Sequence, residues 1–395
     1  MLARKLAILS IITFGLVSLF GDIIYEGSRG IISPFLQSFG ASAFIVGLVL
    51  GLGEFLGYSL RIVFGFLSDK TRSYWIILIG GYSLLIAVPL LALAGSWHLA
   101  VVLVLIERLS KAVRSPARDT IFSYATKGMG SGKAFGLHEL MDQIGAVSGP
   151  AIVAVVLFAT GENFKSAFSA LFVPYLLMVV VLAVAYVKLK PLITIPTFPA
   201  RRISFRKLPR EFIIYSVSVA LNAMGLISIG LILYRASPNT LPWMVALLYL
   251  AAQAVDAVAA PLAGYFYDKI GRKLLYIPFA LSIVPSTLIF LSGMEYIIAS
   301  ALFFGVIFGM HESVYRAAVA DLTPMEMRGS AYGVFHTIYG FGFLIGGAAF
   351  GFFIDNNLTY AAISYSAVAQ VLAVILLHKT LKKSSQELKT PKITS

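Results

Sequence analysis

Cysteine is absent from all 395 positions, so no disulfide and no thiol-ligated metal can hold this chain together. Charge is scarce as well. Asp, Glu, Lys and Arg make up 12% of the residues, where a soluble domain carries about 25%. Acid is the scarcer sign: 18 Asp and Glu stand against 31 Lys and Arg, a formal net charge of +13. No G-x-x-x-x-G-K-[ST] phosphate loop occurs, which argues against ATP as a direct energy source. No nucleophile or metal constellation of the kind an enzyme needs stands out. An enzyme is therefore not expected, and neither is a cofactor or a resident metal.

Apolar residues fill the space that charge vacates. They make up 59% of the chain, and the mean hydropathy is +0.88. That is more apolar surface than one core could bury in water, and it indicates a protein that crosses a bilayer many times. A net positive charge would ordinarily suggest nucleic acid. Here Lys and Arg sit in short loops between apolar runs, so the expected partner is the lipid bilayer, not nucleic acid. The start, Met1-Leu2-Ala3-Arg4-Lys5 followed by an apolar run, imitates a signal peptide. No small-residue cleavage site is convincing, and Asp22, Glu26 and Arg29 follow, so a retained first span is expected.

Apolar stretches of about 18 to 25 residues predict spans near 7–35, 43–66, 74–94, 98–119, 133–158 and 165–188. A second set is predicted near 212–235, 242–266, 274–293, 297–319, 329–353 and 359–378. This divides the chain into a six-helix half at 1–188, a linker at 189–211 rich in Lys, Arg and Pro, a second six-helix half at 212–381, and a tail at 382–395. The loops near 67–73, 120–132, 189–211, 267–273 and 320–328 carry nearly all the basic residues. Those loops and both termini are accordingly expected in the cytoplasm of a multi-pass cell-membrane protein. Trp75, Trp97 and Trp243 fall at predicted span ends, where indole favours the interface.

Two segments repeat. Gly264-Tyr265-Phe266-Tyr267-Asp268-Lys269-Ile270-Gly271-Arg272-Lys273 has a degraded copy 199 positions earlier, Gly65-Phe66-Leu67-Ser68-Asp69-Lys70, which continues Arg72-Ser73-Tyr74 instead of G-R-K. Gly132-Lys133-Ala134-Phe135-Gly136 likewise matches Gly329-Ser330-Ala331-Tyr332-Gly333 at an offset of 197, and Gly145 and Gly149 land on Gly342 and Gly346. Six spans repeated once describe two parallel halves related by an axis along the membrane normal. The G-x-x-x-D-K loops at half-chain spacing resemble the loop motif of the major facilitator superfamily of secondary transporters. The resemblance implies an all-α, twelve-helix membrane fold of two six-helix halves around a central cavity. It also makes Gly65, Asp69, Lys70, Gly264, Asp268, Lys269 and Arg272 gating residues. Gly264 is expected to let two backbones approach closely.

Ionisable side chains inside spans are costly and mark candidate sites. In span 1, Asp22, Glu26 and Arg29 share one helical face beside Tyr25. Such carboxylates can trade a proton against substrate or partner, whereas a static ion pair would only close one state. In span 4, Glu107, Lys111, Arg114 and Arg118 form a stripe with Arg108 and Asp119 beside it, and the deeper Glu107 and Arg108 are the better candidates. In span 5, His138, Glu139 and Asp142 enter from the cytoplasmic end. Gly145-Ala146-Val147-Ser148-Gly149-Pro150 resembles the antiporter motif of drug–proton exchangers, although packing of small residues would look the same. His311 and Glu312 in span 10, with Arg316, occupy positions comparable to the span 4 stripe. Further candidates are His336, Asp256, and Glu54 with Arg61.

These readings converge on a monomeric, proton-coupled secondary transporter of a small organic solute, with export or drug efflux expected from the antiporter-like stretch. The proton would bind Asp22 or Glu26, with Asp142 or Glu139 as relay. A proton-coupled importer of an organic anion or other metabolite is the alternative, favoured by the intramembrane arginines. A transporter-shaped sensor would need an output domain, and the longest internal loop is only the linker.

Overall fold

The computed structural model describes residues 2–126, 131–193, 195 and 208–387. Most of the expected linker, and the expected tail beyond 387, lie outside the described residues. The rest is helical. In chain order the helices are α1 (Leu2–Ser38), α2 (Ala43–Thr71), α3 (Tyr74–Leu93), α4 (Trp97–Ala125), α5 (Ser131–Ala159) and α6 (Phe164–Leu189). They are followed by α7 (Arg210–Asn239), α8 (Pro242–Ile270), α9 (276–288), α10 (Met294–Leu322), α11 (Arg328–Asp355) and α12 (Thr359–Glu387).

Ten helical segments among the described residues are long and apolar enough to cross a membrane. One of them, Pro242–Leu288, covers both α8 and α9, which a tight turn over Gly271–Leu275 separates. The other helix missing from the ten is α4, whose six charged residues between Glu107 and Asp119 lower its apolarity. These two account for the difference from the twelve spans read off the sequence.

The helices cluster into two compact units. One comprises Met1–Ala41, Leu56–Arg202 and Ala236–Leu250; the other comprises Ser42–Phe55, Ile203–Arg235 and Ala251–Ser395. The first parts of α2 and α8 are therefore exchanged relative to the sequence halves.

The internal repeat has a physical role in each unit. In the first, α5 lies against α1 so closely that a methyl at Gly145 would sit 2.5 Å from the Leu19 carbonyl oxygen, and one at Gly149 would sit 2.5 Å from that of Ile23. In the second, α11 lies on α7 in the same manner. A methyl at Gly342 would come 2.5 Å from the Ala220 oxygen, and one at Gly346 would come 2.8 Å from that of Met224. Small residues of this kind let helix backbones approach where apolar lipid offers no driving force for association. Gly47 and Gly347 meet backbone to backbone within the second unit.

The loop repeat also carries over into conformation. Gly271 has φ +63°, and the residue 199 positions earlier, Arg72, has φ +57°. The first copy thus makes the same left-handed turn without the glycine that would favour it. The close approach expected at Gly264 is absent: nothing lies within 4 Å of where its Cβ would be. Trp75 stands at the start of α3, as its place near a span end predicts. It is buried against Phe14 at 5.9 Å and Tyr186 at 5.6 Å, because α1 and α6 cover the start of α3.

Span 7 is not continuous. Its first helix ends at Gly225 and the second begins at Ile229. The exposed backbone groups of the break are satisfied from other helices. The Ser286 hydroxyl donates to the Gly225 carbonyl at 2.9 Å and accepts from the Ile227 amide at 2.9 Å, and the Ser366 hydroxyl donates to Gly225 at 2.7 Å. Irregular backbone at membrane depth is tolerated only with such partners.

Candidate functional site

The charges of α1, α4 and α5 meet inside the first unit. Arg108 of α4 donates from Nη1 to the Tyr25 hydroxyl of α1, and its Nε lies 3.4 Å from Glu107. Both Glu107 and Arg108 are almost wholly buried, at 1% and 3% exposure. Next to Tyr25 on α1, Glu26 accepts from the Tyr249 hydroxyl of α8 and lies 3.7 Å from Arg29. The Tyr25 ring between these groups faces three cations: Lys111 Nζ at 4.6 Å, and the guanidinium carbons of Arg108 at 5.0 Å and Arg29 at 5.1 Å. A desolvated cation over an aromatic face is attracted by about 2 kcal/mol, so this ring is a focus for positive charge.

A second cluster lies two turns along α1. Ser18 hydrogen-bonds His138 Nε2 of α5 at 3.0 Å, and His138 Nδ1 lies 3.4 Å from Asp142. Arg118 of α4 donates from Nε to Asp119 at 2.9 Å, donates from Nη1 to Ser18 at 3.2 Å, and lies 3.9 Å from Asp142. Phe122 seals the His138 ring edge-on at 5.1 Å. Glu139, next in sequence, points to the exposed side and takes no part.

Asp22 lies between the clusters on α1, one helical turn from Ser18 and one from Glu26. Lys111 and Arg114 attract its carboxylate, while Asp142 and Glu26 repel it. Ser18, Asp22 and Glu26 thus mark out a polar track of about 12 Å along one helix face, at 1.5 Å per residue. Arg114 is held by Ser110 at 2.7 Å and rests on the Tyr82 ring at 4.9 Å.

The second unit holds a mostly uncharged network. Asn222 of α7 donates to Gln370 at 2.7 Å and Ser282 at 3.0 Å, and accepts from the Tyr315 hydroxyl at 2.7 Å. Gln370 donates back to the Asn222 carbonyl at 3.0 Å. Residues His311–Tyr315 form a π-helical turn inside α10, a feature frequent at functional sites. His311 is buried there, stacked on Tyr315 at 4.3 Å and bonded through Nδ1 to the Tyr339 hydroxyl at 2.9 Å. Glu312 lies half-buried beside it and Arg316 is exposed.

The residues expected to gate lie in the last turns of α2 and α8, with Arg272 in the turn that follows α8. Asp69 accepts from the Tyr74 hydroxyl at 2.9 Å. Lys70 lies over Phe66 at 5.9 Å and Lys269 over Tyr265 at 4.3 Å. Asp268 is exposed, Arg272 is half-buried, and Gly65 makes only ordinary contact with Pro116. Sequence reasoning missed Tyr249, Ser18 and Asn222. Each is a single neutral polar residue in an apolar run, which carries little signal until its distant partner is known.

Charged residues buried on long apolar helices define a multi-pass membrane protein. The chain belongs to the Major Facilitator Superfamily, whose model matches it twice, at residues 6–234 and 212–394. It is 35% identical over 376 residues to the protein Rv2265 of Mycobacterium tuberculosis, covering 92% of this chain and 91% of that one. It is 26% identical over 387 residues to the MFS-type transporter MJ1317 of Methanocaldococcus jannaschii, covering 92% of each. Its fold is similar to that of the nucleoside transporter NupG, with a TM-score of 0.72 at 14% identity over 93% of this chain and 98% of that one. The peptide transporter POT, solved in complex with sulfate, gives a TM-score of 0.70 at 15% identity over 94% of each chain.

Proposed function

We propose that this transporter is a proton-coupled carrier of a small organic solute, and that Asp22 carries the proton. The observation behind this reading is the position of Asp22 itself. It lies on the α1 track between two cations and two acids, and no cation is within ion-pair distance of it among the described residues. Glu26 and Asp142, by contrast, have close partners. Protonating Asp22 removes its attraction for Lys111 and Arg114 on α4. The relative energy of two arrangements of α1 and α4 then depends on the proton, as a proton-driven switch requires. The Asp142–His138 pair is the relay toward the basic loops, and the charge bias of the loops supports cytoplasmic termini in the cell membrane.

The export direction expected from the Gly145–Pro150 stretch draws less support, since packing on α1 accounts for both glycines. Reconstituted protein, screened for a transported solute with and without an imposed pH gradient, provides the assay. Asp22→Asn should abolish gradient-driven accumulation and leave solute exchange intact, because exchange needs no net proton movement. Full accumulation by Asp22→Asn would refute the assignment. For orientation, single cysteines at Lys190 and Ser237 of this cysteine-free chain should label from opposite sides of the membrane.

A further inference from the structure

Four cations lie along α4 between Arg108 and Arg118, and two of them have acids at hand. Arg108 is 3.4 Å from Glu107, and Arg118 is 2.9 Å from Asp119 and 3.9 Å from Asp142. Lys111 and Arg114 have no carboxylate within ion-pair distance among the described residues. Lys111 holds its ammonium over the Tyr25 ring. Arg114 is 3% exposed, and its Nε has no hydrogen-bond partner among the described residues.

The acids nearby are already engaged, with one exception. Glu26 is held by Tyr249 and Arg29, and Asp142 by His138 and Arg118. Only Asp22 remains, and it acts on both cations from beyond ion-pair distance. Two cations thus share one distant carboxylate, which leaves the site short of one negative charge. A buried charge without a close partner is unfavourable unless something else supplies one.

We propose that the transported solute carries an anionic group, a carboxylate or phosphate, which Lys111 and Arg114 bind in place of Asp22. The inference rests on the transporter reading and names its substrate class. A guanidinium fork beside an ammonium suits an anion with two or more oxygens, and the Tyr25 ring forms one wall. Ionised Asp22 competes with the anion for both cations and repels it; protonated Asp22 does neither. The groups that set this balance are Glu26 on α1, Lys111 and Arg114 on α4, and Asp142 on α5 with His138 and Arg118 behind it. Proton and anion therefore load together, and the solute moves in the same direction as the proton.

The test is equilibrium binding to purified protein in phosphatidylcholine nanodiscs, read as a shift in thermal unfolding. Benzoate, gluconate, glucose 6-phosphate and inorganic phosphate are the probes, with benzamide and glucose as neutral counterparts. At least one anion should stabilise the protein where its neutral counterpart does not. The shift should be larger at pH 5 than at pH 8 and should persist in Asp22→Asn at both. Lys111→Gln should weaken binding about tenfold or more, as loss of one desolvated charge contact implies, and Lys111→Arg should restore most of it. No anion exceeding its neutral counterpart, or undiminished binding in Lys111→Gln, would overturn the proposal. So would stabilisation by phosphatidylglycerol nanodiscs alone, lost in Lys111→Gln, since the anion would then be a lipid headgroup. A shift that is equal at pH 5 and pH 8 yet lost in Lys111→Gln would uphold the anion site and overturn the proton reading alone.

Discussion

Gly149→Ala adds one methyl where there is no room for it. That Cβ would lie 2.5 Å from the Ile23 oxygen and 2.8 Å from the Gly27 amide nitrogen. An ordinary carbon–oxygen contact is about 3.5 Å, so α5 must retreat from α1 by roughly 1 Å. Overpacking of this kind costs about 1–3 kcal/mol. Against it stands the gain of about 0.5–1 kcal/mol from replacing Gly by Ala in a helix, leaving a net loss of up to about 2.5 kcal/mol. Gly346→Ala, its counterpart on α11, should lose a similar amount, its methyl lying 2.8 Å from the Met224 oxygen. Gly264→Ala meets nothing within 4 Å and should be neutral or gain up to about 1 kcal/mol. Detergent-to-SDS unfolding followed by tryptophan fluorescence measures all three, with buried Trp75 as reporter. Equal stabilities of Gly149→Ala and Gly264→Ala would refute the close-packing account of the repeat.

Arg72→Gly should stabilise the first loop by up to about 1 kcal/mol, since a left-handed φ costs a non-glycine residue about that much; Gly271→Ala should lose a similar amount, and the same unfolding assay reads both. Asn222→Ala leaves Gln370, Ser282 and Tyr315 without their shared partner. Membrane hydrogen bonds average about 0.6 kcal/mol each, so a loss of about 2 kcal/mol in that assay is expected, with a larger one if the break in α7 opens. Tyr249→Phe removes the neutral donor to Glu26 and leaves Arg29 as its close partner; the pH dependence of transport should change little if Asp22 carries the proton, and a displaced pH profile would implicate Glu26.

The sequence made the spans and the repeat legible because apolar runs and glycine spacing are local signals. The candidate acids on α1 and α5 were legible for the same reason: charge in an apolar helix stands out. What separates Asp22 from Glu26 was not legible, because the partner of Glu26 is a tyrosine 223 positions away. The break in α7 was equally hidden. Gly225-Leu226-Ile227-Ser228 contains no proline, and the groups that satisfy the break come from α9 and α12. The close approach expected at Gly264 is absent because motif spacing says nothing of which helix, if any, packs against it.

Proton movement caused by the solute itself tests the central claim most directly, since coupling between two ligands is reciprocal. Proteoliposomes holding a pH-sensitive dye, with no imposed pH gradient, would receive the transported solute from outside. The account predicts that internal pH changes as soon as solute enters, and that Asp22→Asn carries solute without that change. Solute entry through the unsubstituted protein at constant internal pH would contradict it.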